Sequence, residues 1–165
     1  DNTVTEPWMY GDKKQYIKDA IDLRYKMSPY LYSLMYRAHV TGLPLMEPLS
    51  TAYQQEEKTW NEGIRFMWGD SLLIANVVEK GAKTRKVYLP KAEDENVRFY
   101  DFWTRMPYPA GEEIEIPVDL ASIPMVVKSG AIVPMSGNHL MNLMTAKTTE
   151  LEILMAPDVD SEFVP

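Results

Sequence analysis

The chain has 165 residues, 45% of them hydrophobic and 25% charged, which is ordinary globular composition with enough length to bury a core without disulfides or metals. It has no cysteine, which excludes thiol catalysis, Cys-ligated zinc, iron–sulfur chemistry and a disulfide framework, and says nothing of compartment. Its 17 Lys+Arg against 24 Asp+Glu give a net charge of −7, with no basic run longer than Lys13-Lys14 or Arg85-Lys86 and no apolar stretch long enough for a membrane span or a signal peptide, so neither nucleic acid nor membrane is expected as a partner.

Helix is expected before Gly42 and strand after it, because only Pro7 and Pro29 of the 12 prolines precede residue 43. Asp12 and Gln15 have the spacing of a capping box and open a helical pattern. Tyr16, Ala20, Leu23, Met27, Tyr30, Leu34 and Ala38 then recur at three- and four-residue steps, and Ile17, Ile21, Leu31 and Met35 widen the stripe beyond one face. Such a helix needs partners on two sides. Pro29 predicts a kink, or a restart with Ser28 as N-cap, and Thr41-Gly42 ends the helix. Residues 54–59 read as a polar surface loop.

From Ile64 onward short apolar or alternating runs are separated by turn residues, as in an antiparallel sandwich. The candidate strands are 65–68, 72–79, 85–89, 98–101, 113–116, 125–128, 131–134 and 149–155. Gly69-Asp70, Lys80-Gly81, residues 93–96, 109–111 and Ser129-Gly130 supply the reversals between them. The expected fold class is therefore mainly β, an antiparallel β-sandwich preceded by a long, Pro-kinked α-helix, α+β overall.

No self-contained active site emerges. The acidic neighbours Glu93-Asp94-Glu95 and Glu112-Glu113 fall in turns or at strand edges and read as solvated surface rather than as a catalytic pair. Asp158, Asp160 and Glu162 share the alternate acidic positions of a calcium loop, but Phe163 stands where its glycine is required. His39 and His139 have no second ligand at helical spacing. Nucleophile elbows, Ser-x-x-Lys and phosphate-binding glycine loops are absent from the sequence. Among aromatics, Tyr16, Tyr30 and Tyr36 follow the helical stripe, and Tyr100, Phe102 and Trp103 follow a strand, so core packing is preferred to ligand stacking. Trp60, in the polar loop, is the least bound by that reading.

Read in order, several segments resemble the C-terminal part of glycoside hydrolase family 31, the α-glucosidase and α-xylosidase family. They are Glu6-Pro7-Trp8 with Gly11; Leu23-Arg24-Tyr25 through Ser28-Pro29-Tyr30-Leu31-Tyr32; Thr41-Gly42 with Pro44; Phe66 to Ala75; Val87-Tyr88-Leu89-Pro90; Tyr100 to Thr104; and Ile123 to Pro134. Glu47, where the family usually has Arg, and Asn76, where it often has Pro, depart from the pattern. The resemblance implies three units: residues 1–43 as the last loop and helix of a (β/α)8 catalytic barrel, 44–135 as the proximal β-sandwich, and 136–165 as a linker and first strand of a distal β-domain.

It also implies a retaining α-glycosidase whose two catalytic Asp residues and Arg-x-His clamp lie upstream of this chain. No catalytic, cofactor-binding or metal-binding residue is therefore assigned here, and the chain alone is expected to be inactive while it braces the barrel. An α-glycoside substrate is implied only for the full-length parent. The start at Asp1 and the stop at Pro165, just after a strand-like run, read as truncation. Two other readings stand beside this one: an autonomous carbohydrate-binding module using Trp60 or Trp103, and a non-enzymatic interaction domain marked by a large exposed apolar patch. A barrel fragment would bare such a patch as well, so a homodimer through the exposed helix face is an expected consequence of the leading reading.

Overall fold

The computed structural model describes residues 6–91, 97–140, 142–144 and 147–158. Pro7, whose missing N–H costs nothing at a helix start, opens a run of 3-10 turns over Pro7–Lys13 that Gly11 interrupts at φ 54°. Helix α1 (Lys14–Lys26) follows directly. The capping box expected at Asp12 and Gln15 does not form, because the chain is already winding through 3-10 turns at Asp12. Lys13 takes the cap position without a side-chain bond, and the Gln15 amide instead donates to Asp19 Oδ1 at 2.6 Å.

Helix α2 (Ser28–Thr41) restarts after Met27, with Pro29 in its first turn. The break expected from Pro29 is there, but Met27 rather than Ser28 is the cap residue. Gly42 ends the helix at φ 76°, its N–H bonded to Ala38 O at 2.9 Å.

Beyond α2 come β1 (Met46–Pro48), a short α3 (Leu49–Ala52), β2 (Arg65–Trp68), β3 (Leu72–Ala75), β4 (Thr84–Tyr88), β5 (Arg98–Asp101), β6 (Pro107–Pro109), β7 (Glu113–Pro117), β8 (Met125–Lys128), β9 (Ile132–Ser136) and β10 (Leu151–Met155). The fold is α+β, a helical segment followed by antiparallel sheets. The strand expected over 72–79 stops at Ala75, where β3 leaves its partners. Strands β1 and β6 were not foreseen: each is three residues long and contains proline, at opposite edges of the main sheet.

That sheet has six strands in the order β1-β2-β3-β8-β5-β6, while β4 pairs with β7 and β9 with β10 as separate ribbons. Side chains alternate across a strand, so neighbours on β3 enter different cores. Leu72 and Ile74 join Met27, Tyr30, Leu34, Val133, Met135 and Leu154, on the side of the helices and the β9–β10 ribbon. Leu73 and Ala75 join Leu49, Val87, Leu89, Phe99 and Ile116, on the side of the β4–β7 ribbon. With both faces covered, β3 reads as an unbroken apolar run.

The helices approach the sheet at the turn between β2 and β3. Gly69 sits there at φ 66°, and a Cβ on it would lie 2.5 Å from both Leu34 Cδ2 and Tyr30 Oη. The Tyr30 hydroxyl donates to Trp68 O at 2.5 Å, and the two rings meet edge to face with centroids 5.6 Å apart.

Candidate functional site

Only one side of the helical segment is used by the sheet. Met27, Tyr30 and Leu34 are buried, Leu23 packs against them, and α1 itself buries no residue. On the remaining faces Tyr16, Ile21, Tyr32, Met35, Tyr36 and Val40 are exposed, Tyr32 by 76% and Tyr36 by 66%. Tyr16 and Tyr36, expected in the core, are thus corrected to surface positions: Tyr16 lies on α1, which buries no residue, and Tyr36 lies on α2 away from Tyr30 and Leu34, the side chains that α2 buries. An array of large apolar side chains left exposed along one helical segment is the pattern of surfaces that bind other bodies. Tyr32 and Met35 also line a groove of about 450 Å³ beside α2, together with Pro29, Leu140, Leu143 and Leu151.

Two surface ion pairs join the helices to the strands and turns beside them. Arg37 pairs with Asp70 of the β2–β3 turn at 3.0 Å, and Lys26 at the end of α1 pairs with Glu152 of β10 at 2.7 Å. Burial pushes the Tyr30 hydroxyl up to about 12. Tyr53 is likewise pushed up to about 12, by burial and then by the negative charges of Asp70 and Glu47, with which it lines a small polar pocket closed by Lys128. Burial acts to raise the Glu62 carboxyl, but the Arg65 guanidinium and the backbone N–H groups of Ile64 and Arg65 outweigh it and hold that carboxyl below its ordinary value.

The residues singled out from sequence do not converge. Trp60 is 56% exposed and Trp103 48%, on separate loops. Each has its indole N–H spent on a backbone carbonyl, Trp60 on Gln54 O at 2.9 Å and Trp103 on Ile123 O at 2.8 Å. Phe102 is in the core as expected, whereas Tyr100 is half-buried and donates to Pro157 O at 3.3 Å. His39 is exposed at the end of α2 and His139 is exposed in the segment joining β9 to β10. Glu112 and Glu113 are exposed, the latter 3.5 Å from Lys86. Glu93, Asp94, Glu95, Asp160 and Glu162 lie outside the described residues. Among the described residues no group of three or more His, Asp or Glu is placed to hold a metal ion, and no helix is long and apolar enough to cross a membrane.

Trp8, read from the sequence as part of a motif, and Met9 and Tyr10, which that reading does not single out, are exposed apolar side chains in the 3-10 run ahead of α1. Their signal was available: three large apolar residues in a short segment bounded by Pro7 and Gly11, off any helical or strand period.

Residues 42–133 match the family profile described as the glycosyl hydrolase family 31 C-terminal domain, and residues 1–34 match that of the family 31 TIM-barrel domain. The chain belongs to glycoside hydrolase family 31. This family 31 chain is 38% identical over 135 residues to a probable glucan 1,3-alpha-glucosidase of Oryza sativa subsp. japonica, a match covering 81% of the chain and 14% of that protein. It is 33% identical over 138 residues to an alpha-xylosidase of Saccharolobus solfataricus, covering 83% of the chain and 18% of that protein. A solved GH31 dextranase of Flavobacterium johnsoniae, complexed with glucose, superposes with a TM-score of 0.86 at 32% identity, over 96% of this chain and 19% of that one. The chain thus spans less than a fifth of each relative. The barrel match ends inside α2 and the C-terminal match begins at Gly42, the residue that ends that helix.

Proposed function

We propose that this chain is the non-catalytic C-terminal portion of a retaining family 31 α-glycosidase, an α-glucosidase or α-xylosidase, and that it braces the catalytic barrel. In this reading residues 1–43 are the barrel's last loop and helix, 44–135 the proximal sandwich, and 136–165 a linker and the first strand of a distal β-domain. One observation carries it: the segment matching the barrel profile is also the segment whose helices leave one apolar side bare. A complete barrel needs about 250 residues, so the carboxylates that would form and hydrolyse a glycosyl-enzyme intermediate belong to segments outside this chain. The sandwich clamps α2 through Gly69, Tyr30 and the Arg37–Asp70 pair, and α2 offers its other side to the barrel strands. In isolation the same face would pair two copies of the chain.

The purified 165-residue chain is expected to hydrolyse neither an aryl α-glucoside nor an aryl α-xyloside above the buffer rate. Turnover that stays with the chain through purification would overturn its assignment as non-catalytic.

A second reading, an autonomous carbohydrate-binding module, is favoured by the exposed ring of Trp60, held in place through its indole N–H. Titration with maltose or xylose oligosaccharides, read by tryptophan fluorescence, decides it: saturable binding abolished by Trp60→Ala would replace the bracing role.

A further inference from the structure

In a (β/α)8 barrel the connections that lead from a strand into a helix lie on the catalytic face, and those that lead from a helix into a strand lie on the opposite one. The barrel match of this chain ends within α2, and from Gly42 onward the chain matches another domain, so α1–α2 is the last barrel helix. The Pro7–Lys13 run that feeds it is therefore a connection of the first kind. Within three residues it presents Trp8 at 69%, Met9 at 61% and Tyr10 at 47% exposure, and none of the three enters either core cluster.

Gly11 at φ 54° turns the chain immediately after them, so the rings stand ahead of α1 and do not continue its stripe. Trp8 and Tyr10 also differ from the other exposed tryptophans. Trp60 and Trp103 have spent their indole N–H on Gln54 O and Ile123 O, whereas among the described residues the Trp8 indole and the Tyr10 phenol have no such partner and retain a donor on an exposed side chain. An aromatic face with a free donor at its edge fits a sugar ring, whose C–H side stacks and whose hydroxyls accept.

We infer that Trp8 and Tyr10 contact substrate, stacking on the leaving-group sugar of an oligosaccharide at the rim of the catalytic pocket. The inference rests on the family 31 reading of the preceding section. The ring to be cleaved is held deeper, by the barrel residues that carry the carboxylates, and this connection supplies specificity for the ring beyond the scissile bond.

The test uses the full-length enzyme that carries this chain, with two substrates that separate the roles: maltotriose, or a xylosyl oligosaccharide if the enzyme prefers xylosides, and the corresponding α-glycosyl fluoride, which has no second ring. Trp8→Ala is expected to lower kcat/KM for the oligosaccharide about tenfold, mainly through KM, and to change the fluoride by less than about twofold. Tyr10→Ala should act in the same direction and Trp8→Phe should recover most of the loss. Equal losses on both substrates accompanied by a lower melting temperature would make Trp8 a packing residue and overturn the inference, as would an unchanged oligosaccharide kcat/KM in both alanine variants. A wild-type enzyme that cleaves no α-glycoside would instead overturn the family-based function, and the inference with it.

Discussion

The β4–β7 side of the central sheet and its helical side are built from similar residues, yet only the first is closed. On the β4–β7 side Leu73, Val87, Leu89 and Phe99 are all at 0% exposure, and the layer needs nothing more. On the helical side Tyr30 and Leu34 are buried while Tyr32 and Tyr36, on the same helix, face outward. Apolar area removed from water within the chain stabilises the chain itself, whereas area left bare contributes nothing until another body covers it. The β4–β7 side is thus closed by the chain's own residues, and the helices are covered on one side only.

The comparison is broken most severely from the closed side. Phe99→Ala removes the largest fully buried side chain and is expected to cost about 3–5 kcal/mol, a large part of the stability of a domain this size, read as a shift of the urea midpoint. A variant that unfolds at the wild-type midpoint would mean that the β4–β7 layer is not the independent core described here.

The seam between the two regions comes next. Gly69→Ala combines left-handed strain with a Cβ placed 2.5 Å from Leu34 and Tyr30, and is expected to cost about 2–4 kcal/mol, with α2 lifted from the sheet. Gly42→Ala is its control: φ is also positive, at 76°, but nothing lies within 4 Å of the added carbon, so only the strain of about 1 kcal/mol should remain. Equal losses in the two variants, measured by thermal unfolding, would remove the close approach as the reason for glycine at 69.

Much of this arrangement was legible in the sequence, for a physical reason in each case. Strand β3 is short and wholly apolar because both its faces are covered, and Pro29 and Gly42 act on the backbone in ways that tertiary packing does not reverse. Edge strands β1 and β6 were not legible, since a three-residue ladder containing proline looks like a turn until its partner is known. The cap at Asp12 failed because spacing alone does not reveal that the chain enters α1 from 3-10 turns. The two-sided stripe predicts two partners, of which the structure shows one, the sheet against Met27, Tyr30 and Leu34, and periodicity places Tyr16 and Tyr36 on an apolar face without saying whether that face is covered. Of the candidate site, the apolar run between Pro7 and Gly11 is legible as a segment off any helical or strand period, whereas the exposure of Trp8 and Tyr10 is a property of the fold that residue spacing does not carry.

A smaller effect is expected from the hydroxyl that ties the regions together. Tyr30→Phe deletes the bond to Trp68 O and should cost about 1 kcal/mol. Because the folded-state value is raised from 10.0 to about 12, the folded chain holds this proton more tightly than the unfolded one. Its contribution is complete below pH 10 and is lost as the pH rises toward about 12. Stability measured across that window should therefore fall less steeply in Tyr30→Phe than in the wild type, and tyrosinate absorbance should show one fewer late-titrating group. Tyr53, raised by burial to the same range, will continue to titrate late and marks the background against which the difference is read.

The smallest expected effect on the isolated chain is the most informative about the bare side. Tyr32, 76% exposed, points away from the sheet, and Tyr32→Lys should change the stability of the 165-residue chain by no more than about 0.5 kcal/mol, since surface substitutions away from caps, cores and networks rarely do more. In a full-length enzyme the same substitution would place an ammonium group against apolar barrel residues, where an unpaired buried charge is strongly destabilising, and should abolish soluble, active protein. The two measurements together separate a face that merely tolerates water from one waiting to be covered. A lysine at 32 that is silent in both settings would leave the bare face of α2 without a partner, and the bracing role would then have to rest on α1 alone.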